Sequence, residues 1–160
     1  MPRSVAWVVR ALAVAAAAAA LYWLCVMPYR CNRDILAVRA SIQRQPAMSP
    51  FRASAIADQN AGLLNDACRS CAPNVSLLLV LADNDDFAGR TEDVIRDLDR
   101  AIAIQPRPEV FMGRANSELE LGRLDAAIAD FRMAARFEPS SADVLDPELR
   151  ARVLNGINAR

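Results

Sequence analysis

Histidine and lysine are both absent from this chain of 160 residues, so all 19 of its basic side chains are arginines. Histidine is the usual general base near neutral pH and a frequent ligand of zinc and haem iron, so its absence excludes the serine triad and most zinc or haem sites. A chain of this length has room for one modest domain and little room for a large enclosed active site. We therefore expect no catalytic residues, no cofactor and no metal, and a protein that is not an enzyme.

A surplus of positive charge is also missing. The 19 basic residues are balanced by 19 acidic ones, and two of the arginines, Arg3 and Arg10, belong to the amino-terminal segment. Proteins that bind nucleic acid need a basic surplus on one face to neutralise phosphate groups. The sequence therefore predicts no nucleic-acid partner.

Apolar residues are concentrated at the start of the chain. Residues 5–27 read VAWVVRALAVAAAAAALYWLCVM, with Arg10 as their only charged residue. At about 1.5 Å per residue, a helix of this length crosses roughly 30 Å of hydrocarbon, and an arginine near one end can reach the headgroups. Tyr22 and Trp23 fall near the opposite boundary, where amphipathic rings are favoured. The sequence thus predicts a membrane anchor in residues 1–29 that spans the bilayer through residues 5–27.

A cleaved secretory signal is the alternative interpretation of this segment, because a signal also has a basic start and an apolar core of small residues. However, the apolar stretch continues past the alanines through Leu21, Trp23, Leu24 and Val26. It is therefore longer than a signal core needs, and it does not resemble a cleavage site. We favour an uncleaved anchor.

Two helices are predicted after the anchor, forming a helical hairpin of residues 30–73. The first covers residues 33–44 and the second residues 50–68, and the glutamine, serine and prolines between residues 45 and 50 mark the turn. The apolar faces comprise Ile35, Val38 and Ile42 in the first helix and Ala53, Ala57, Ala61 and Leu64 in the second.

Three cysteines, Cys31, Cys68 and Cys71, belong to this hairpin. In an antiparallel hairpin the start of the first helix lies beside the end of the second, so Cys31 can form a disulfide with Cys68 or Cys71. Such a bond stabilises a small domain and requires an oxidising compartment, which indicates the periplasmic side of a bacterial inner membrane. The arginines that follow the span indicate the opposite orientation, with the domain in the cytoplasm.

Two other interpretations of these thiols remain open. All three can be free structural thiols, or Cys68 and Cys71 can form a redox pair or contribute to a metal site. Haem attachment is excluded, because Ala72 rather than histidine follows the second cysteine.

The chain contains an internal repeat. Residues 88–106, AGRTEDVIRDLDRAIAIQP, align with residues 121–139, LGRLDAAIADFRMAARFEP, at a constant offset of 33 residues. Self-similarity at a fixed spacing of this size indicates stacked helix-turn-helix units. The identical pairs are Gly89 and Gly122, Arg90 and Arg123, Ile95 and Ile128, Asp97 and Asp130, Ala101 and Ala134, and Pro106 and Pro139.

Residues 74–139 resemble the tetratricopeptide repeat (TPR) family, whose units of about 34 residues are helix-turn-helix pairs. In the second copy, Ala127 and Phe131 are the small and the aromatic residue by which such a unit packs its helices. The first copy has Val94 and Leu98 at these positions, so we interpret it as a degenerate unit.

The predicted fold class is all-α, with one N-terminal transmembrane helix followed by a TPR-like stack of antiparallel helix pairs. Residues 74–160 form the repeats and a C-terminal capping helix, which runs from residue 147 to residue 158 with Asp146 as its N-cap. Because repeat arrays need about three stacked units, we expect the hairpin of residues 30–73 to supply the first layer.

The resemblance implies a concave face, formed by the first helix of each unit, that binds a protein or a peptide. The implied groove positions are Ser76, Leu79 and Asp83 in the first copy and Glu109, Met112 and Asn116 in the second. Asn116 matches the asparagine with which some family members hold a terminal carboxylate, but the accompanying lysines are missing. We expect a mixed apolar and acidic groove, with an ordinary solvated helix face as the alternative.

An acidic cluster, Asp83, Asp85 and Asp86, precedes the glycine of the first copy. Its segment lacks the glycine and the downstream glutamate of a calcium-binding loop. We therefore interpret it as a solvated turn.

These features predict a membrane-tethered TPR interaction module that acts as an adaptor or scaffold in a bacterial envelope assembly. The alternative is a periplasmic thiol-redox factor that uses Cys68 and Cys71 on a helical-repeat scaffold. A third interpretation is that the repeats only fill out a membrane subunit.

Overall fold

The computed structural model describes residues 3–44, 49–70 and 74–158, without the side chains of residues 3–6, 27, 31, 68–70 and 158. Every regular element in these ranges is helical, which confirms the predicted all-α fold class. The elements are α1 (Arg3–Leu21), a π-helical turn (Tyr22–Val26), α2 (Met27–Gln43), α3 (Pro50–Ser70), α4 (Val75–Phe87), α5 (Thr91–Ile104), α6 (Pro108–Glu120), α7 (Leu124–Phe137), a 3-10 helix (Pro139–Val144) and α8 (Pro147–Asn158).

The first three elements form one continuous helical run. Pro28 has no N–H group to donate to the carbonyl of Leu24, and its ring crowds that carbonyl. The π-helical turn just before Pro28 accommodates this crowding by widening the helix. Across the turn, Arg30 Nη1 donates to Tyr22 Oη at 3.0 Å. The predicted boundary between anchor and hairpin, at residues 29 and 30, therefore lies inside a helix.

One helical run among the described residues is long and apolar enough to cross a membrane, judged by its length and composition alone. It covers Trp7–Gln43, and its apolar window has a mean hydropathy of 1.9. None of that window is buried against the rest of the chain, and Trp7 is 75% exposed. A signal sequence meets the same criteria, so this finding is compatible with both interpretations of the segment.

From α2 onward the helices stack in pairs. Each helix from α3 to α7 packs against the helices before and after it in the chain, and α8 packs against α7. Helix α2 packs against both α3 and α4, so the pair of α2 and α3 lies at the start of the stack. Short connections between such helices make neighbours antiparallel.

Two clusters of buried apolar residues hold the stack together. The N-terminal cluster draws on helices α2 to α6, and the C-terminal cluster draws on α6, α7, the 3-10 helix and α8. In α2, Ile35 and Val38 are buried and Ile42 packs against the N-terminal cluster, as predicted. In α3 the predicted Ala61 is only half-buried. The buried positions of α3 are Ala53, Ala57, Asn60, Leu64 and Ala67.

The C-terminal helix closes the stack. Asp146 Oδ1 accepts the backbone N–H groups of Glu148 at 3.1 Å and Leu149 at 3.0 Å, which confirms the predicted N-cap. Val153 is fully buried, and Leu149 and Ile157 pack against the C-terminal cluster, again as predicted.

The same turn occurs twice, 33 residues apart, once in the first copy (residues 74–106) and once in the second copy (residues 107–139). Gly89 has a φ of 71° and Gly122 a φ of 73°, a backbone conformation that favours glycine. In both copies the residue after the glycine donates its backbone N–H to the carbonyl five residues earlier, at 2.9 Å and 2.8 Å. These bonds satisfy carbonyls that the ends of α4 and α6 leave free.

The acidic segment before Gly89 is helical, so its interpretation as a turn is wrong, although Asp83 and Asp86 are exposed to solvent as expected. Helix α4 continues to Phe87, and Asn84 within it is buried, at 1% exposure. Asp85 is half-buried and pairs with Arg90 at 3.5 Å. The helix can continue this far because the chain reverses only at Gly89.

A buried polar network joins the hairpin to the first copy. Asn84 Nδ2 donates to the carbonyl of Ala57, and Asn60 Nδ2 donates to Asn84 Oδ1, both at 3.1 Å. Ser41 Oγ donates to Asn60 Oδ1 at 3.1 Å. Because a buried amide without partners is destabilising, this network favours one arrangement of α2, α3 and α4.

Candidate functional site

A cavity of about 360 Å³ opens between α4 and α6, over α5, and we call it the inner groove. The sequence-predicted residues Leu79 and Asp83 reach it from α4, and Glu109 and Asn116 reach it from α6. The structure therefore brings four of the predicted positions to one site. The remaining lining residues are Ala82, Asp86, Val94, Leu98, Gly113, Ser117 and Glu120.

The floor of the inner groove is apolar. Val94 and Leu98 of α5 are buried, and Ala82 of α4 lies beside them, also buried. Gly113 of α6 faces Leu98, whose nearest methyl carbon lies 3.5 Å from the position that a Cβ at residue 113 would occupy. This is an ordinary contact distance, so a Cβ at residue 113 fits there, on the side of α6 that faces the groove.

The rim of the inner groove is acidic. Its groove carboxylates are Asp83, Asp86, Glu109 and Glu120. Asp83 and Asp86 form no ion pair or side-chain hydrogen bond with any described residue. Glu109 lies 3.7 Å from Arg107, and Glu120 accepts a hydrogen bond from Thr91 Oγ1 at 3.2 Å.

Burial and mutual repulsion act on these carboxylates. Partial burial raises the pKa of Asp83 above its usual value, and Asp86 raises it further, while Arg39 opposes the shift. Partial burial also raises the pKa of Asp86, with a further contribution from Glu120. The groove therefore has a negative potential that its own residues do not neutralise.

A second cavity of about 250 Å³ extends this surface towards α2. Asp83 and Asp86 line it from α4, and Arg39, Ile42 and Gln43 line it from α2. The inner faces of α2, α4 and α6 thus form a continuous surface, in which Arg39 contributes a positive charge on the α2 side.

Two predicted groove residues lie elsewhere. Met112 is half-buried and packs against the C-terminal cluster, and Ser76 is exposed outside the inner groove. The two helices that border a groove face each other, so the groove is lined by different repeat positions on each helix. The predicted residues occupied the same repeat positions in both copies. Consecutive helix positions point roughly 100° apart, so Gly113 rather than Met112 faces α4.

Asp86 and Glu120 also line the groove, and neither was predicted to do so from the sequence. Asp86 follows Leu79 and Asp83 at helical spacing, and Glu120 follows Glu109 and Asn116 in the same way. This spacing is the signal that would have found them.

The structure does not describe the side chains of the three disulfide candidates. Cys71 lies outside the described residues, and the side chains of Cys31 and Cys68 do too. The backbone of α2 contains Cys31, that of α3 contains Cys68, and the two helices pack together. The disulfide stays a prediction. Cys25, in the apolar run, is a free and exposed cysteine.

A metal site finds no support in the described part of the chain, which holds no group of three or more potential ligands. Of the acidic cluster that precedes Gly89, Asp85 is paired with Arg90, while Asp83 and Asp86 belong to the inner groove.

No protein-family model matches the chain, and no curated protein does. Its structure is similar to the crystal structure of a thermophilic TPR protein from Thermus thermophilus, with a TM-score of 0.56 and 25% sequence identity. The similarity covers 76% of this chain and 59% of that protein, so the chain spans less than two thirds of its length. The chain is therefore an all-α helical-repeat module with a TPR-like fold, a fold that generally binds protein partners.

Proposed function

We propose that this protein is a membrane-tethered interaction module that holds a protein or peptide partner in the inner groove, as an adaptor or scaffold in a bacterial envelope assembly. The observation that carries this proposal is the inner groove itself, an open cavity with an apolar floor and four carboxylates at its rim, of which Asp83 and Asp86 form no ion pair or side-chain hydrogen bond with a described residue. Pockets that combine apolar lining with a few convergent polar groups are the usual form of binding sites. The proposal involves no catalytic step and no cofactor.

The exposed apolar side chains of α1 support the tether. Trp7, Leu12 and Leu21 are 75%, 65% and 62% exposed, with no contact to the helical stack that would cover them. Leaving one such side chain in water forgoes about 1.5–3 kcal/mol of burial free energy, so the segment requires an apolar environment. A bilayer supplies it, with the stack on the periplasmic side of the inner membrane if Cys31 forms a disulfide with Cys68 or Cys71.

Membrane fractionation tests the tether. We expect the full chain to stay in the pellet after an alkaline carbonate wash and to be extracted only by detergent. Its mass should match the uncleaved sequence, and should rise on reduction by the two hydrogens of one disulfide. Recovery of a shortened chain in the soluble fraction would contradict the tether, and an unchanged mass on reduction would contradict the disulfide.

Purification from solubilised membranes tests the interaction. Gly113→Leu places a side chain in the inner groove, and Gly62→Leu is the matched control because Gly62 lies on α3 with open space around it. Leucine is a better helix former than glycine, so both variants should fold. We expect the wild type and Gly62→Leu to retain the same partner and Gly113→Leu to lose it. Equal recovery with all three proteins would contradict binding in the groove.

A further inference from the structure

The inner groove segregates negative charge. Its four carboxylates surround one cavity, and no arginine is among the residues that line it. Many carboxylates elsewhere in the stack pair with arginines, as Asp130 does with Arg114 at 2.6 Å, whereas in the groove only Glu109 lies within 4 Å of a described arginine. The chain as a whole has equal numbers of acidic and basic residues, so its composition does not account for this separation.

Two of these carboxylates, Asp83 and Asp86, form no ion pair and no side-chain hydrogen bond with any described residue. Burial raises the pKa of both, and at Asp83 the nearby Arg39 offsets this only in part, so their ionisation opposes folding. Groups that work against stability are often retained for function. Beneath them lies an apolar floor, which loses its contact with water when a ligand covers it.

We propose that the inner groove binds a cationic, partly apolar peptide segment, whose arginine or lysine side chains pair with the groove carboxylates while an apolar side chain covers the floor. This inference rests on the proposed function and names the chemistry of its partner. A cavity of about 360 Å³ accommodates a few side chains of one segment and not the surface of a folded domain.

Two neighbouring groups limit how the segment lies. Arg39 lies beside Asp83 at the α2 side, so the positive side chains of the partner belong between α4 and α6. Asn116 lies among the groove carboxylates, which repel a terminal carboxylate. The groove therefore selects an internal segment or an amino-terminal one.

Peptide binding to the full chain in non-ionic detergent tests this proposal, with empty micelles as background. Three labelled peptides of equal length are compared by fluorescence anisotropy. The first is composed of arginine and leucine, the second of glutamate and leucine, and the third of arginine and serine. We expect the arginine-leucine peptide to bind about tenfold more tightly than either of the others, because it alone provides both the charge pairs and the apolar contact. Equal affinity for the glutamate-leucine or the arginine-serine peptide would overturn the proposal.

Two double variants that each remove two negative charges test whether the peptide binds in the inner groove. Asp83→Asn with Asp86→Asn neutralises two groove carboxylates, and Asp125→Asn with Glu138→Gln neutralises two exposed carboxylates outside the groove. We expect the groove pair to weaken binding of the arginine-leucine peptide about tenfold and the control pair to leave it unchanged. Equal affinity of both double variants would overturn the proposal.

The outcomes separate this inference from the proposed function. If Gly113→Leu loses its partner while the arginine-leucine peptide shows no preference for the groove, the proposed function stands and the charge assignment fails. If Gly113→Leu keeps its partner while that peptide binds in the groove, the charge assignment stands and the proposed function fails.

Discussion

The turns of the two repeat copies have the same conformation, but different side chains hold the helices of each copy together. In the second copy, Arg114 donates two hydrogen bonds to Asp130, at 2.7 Å and 2.6 Å, and lies 5.8 Å from the centroid of the Phe111 ring. The bond to Asp130 raises the pKa of Arg114 above its usual value. A residue of α6 thus pairs with one of α7 at a buried position.

The first copy has no such pair. Leu81 occupies the position equivalent to Arg114, and Asp97, the equivalent of Asp130, bonds to Arg100 of its own helix at 2.8 Å. Burial raises the pKa of Asp97, and Arg100 opposes the shift only in part. An ion pair between the two helices of a unit is therefore one way to hold them together, and the fold does not require it.

The two copies fill their cores with about the same side-chain volume, although the residues differ at two positions. Where the first copy has Val94 and Leu98, the second has Ala127 and Phe131, and all four residues are buried. A smaller residue at one position accompanies a larger residue at the other, so the filled volume changes little. The helix-turn-helix frame depends on the turn and on total core volume, and it tolerates different residues within these limits.

Phe131→Ala should have the largest effect, because it removes the ring that compensates for Ala127. Phe131 is 1% exposed in the C-terminal cluster. We expect the free energy of unfolding of the full chain in detergent to fall by about 3–5 kcal/mol, measured by denaturant titration. Phe51→Ala is the control, since Phe51 is 84% exposed and should change stability by at most about 0.5 kcal/mol. Similar losses in both variants would contradict the core assignment.

Arg114→Leu gives the second copy the residue of the first and leaves Asp130 without its partner. We expect a loss of about 2–3 kcal/mol, reduced from the fully buried case because the Arg114 side chain is 23% exposed. Asp130→Asn in the same chain should recover part of the loss, so a double-mutant cycle measures the coupling. Arg100→Leu, in the first copy, should cost about 0.3–0.5 kcal/mol. Equal losses from the two arginine variants would show that the copies do not differ as described.

Asn84→Ala tests how the first copy joins the hairpin. Asn84 bonds to α3, whereas its equivalent in the second copy, Ser117, bonds to the Gly113 carbonyl of its own helix at 3.3 Å. We expect Asn84→Ala to cost about 1–2 kcal/mol, because it leaves the buried Asn60 Nδ2 without its acceptor and removes the bond to the Ala57 carbonyl, and Ser117→Ala to cost less. Denaturant titration of both variants checks this order. A larger loss for Ser117→Ala would contradict it.

Asp86→Asn should have the smallest effect on stability and the clearest dependence on pH. The equivalent residue of the second copy is Leu119, which packs against the C-terminal cluster. Because the folded-state pKa of Asp86 is raised, ionisation destabilises the folded chain as pH rises from 3.8 through that higher value. Asp86→Asn should therefore be more stable than the wild type near neutral pH. The advantage should vanish in acid, and a difference that does not vary with pH would contradict the prediction.

The repeat and its turns could be predicted from sequence because they depend on local signals. Gly89 and Gly122 recur at a fixed offset, and Asp146 precedes the helix that it caps. The bond from Arg114 to Asp130 could not be predicted, since it joins residues that only the fold brings together. The same holds for Asn84, which the sequence places among acidic residues and the structure places in the core.

The lining of the inner groove could be predicted only in part, because it also depends on which helix faces the fold brings together. Leu79 and Glu109 could be assigned to it from the resemblance to TPR units, but Met112 could not be excluded without knowing which flank of α6 faces α4. The continuous helix around Pro28 was not predictable, because a proline ordinarily ends a helix and here widens it.

Photo-crosslinking in intact membranes tests the central claim most directly. A photoreactive residue replaces Asn116 in the inner groove or, as the control, Asn155 on the exposed face of α8. We predict that position 116 yields a crosslinked partner in the membrane fraction and that position 155 yields none. Equal yields at both positions, or a crosslinked product only in the soluble fraction, would contradict a membrane-tethered module that binds through this groove.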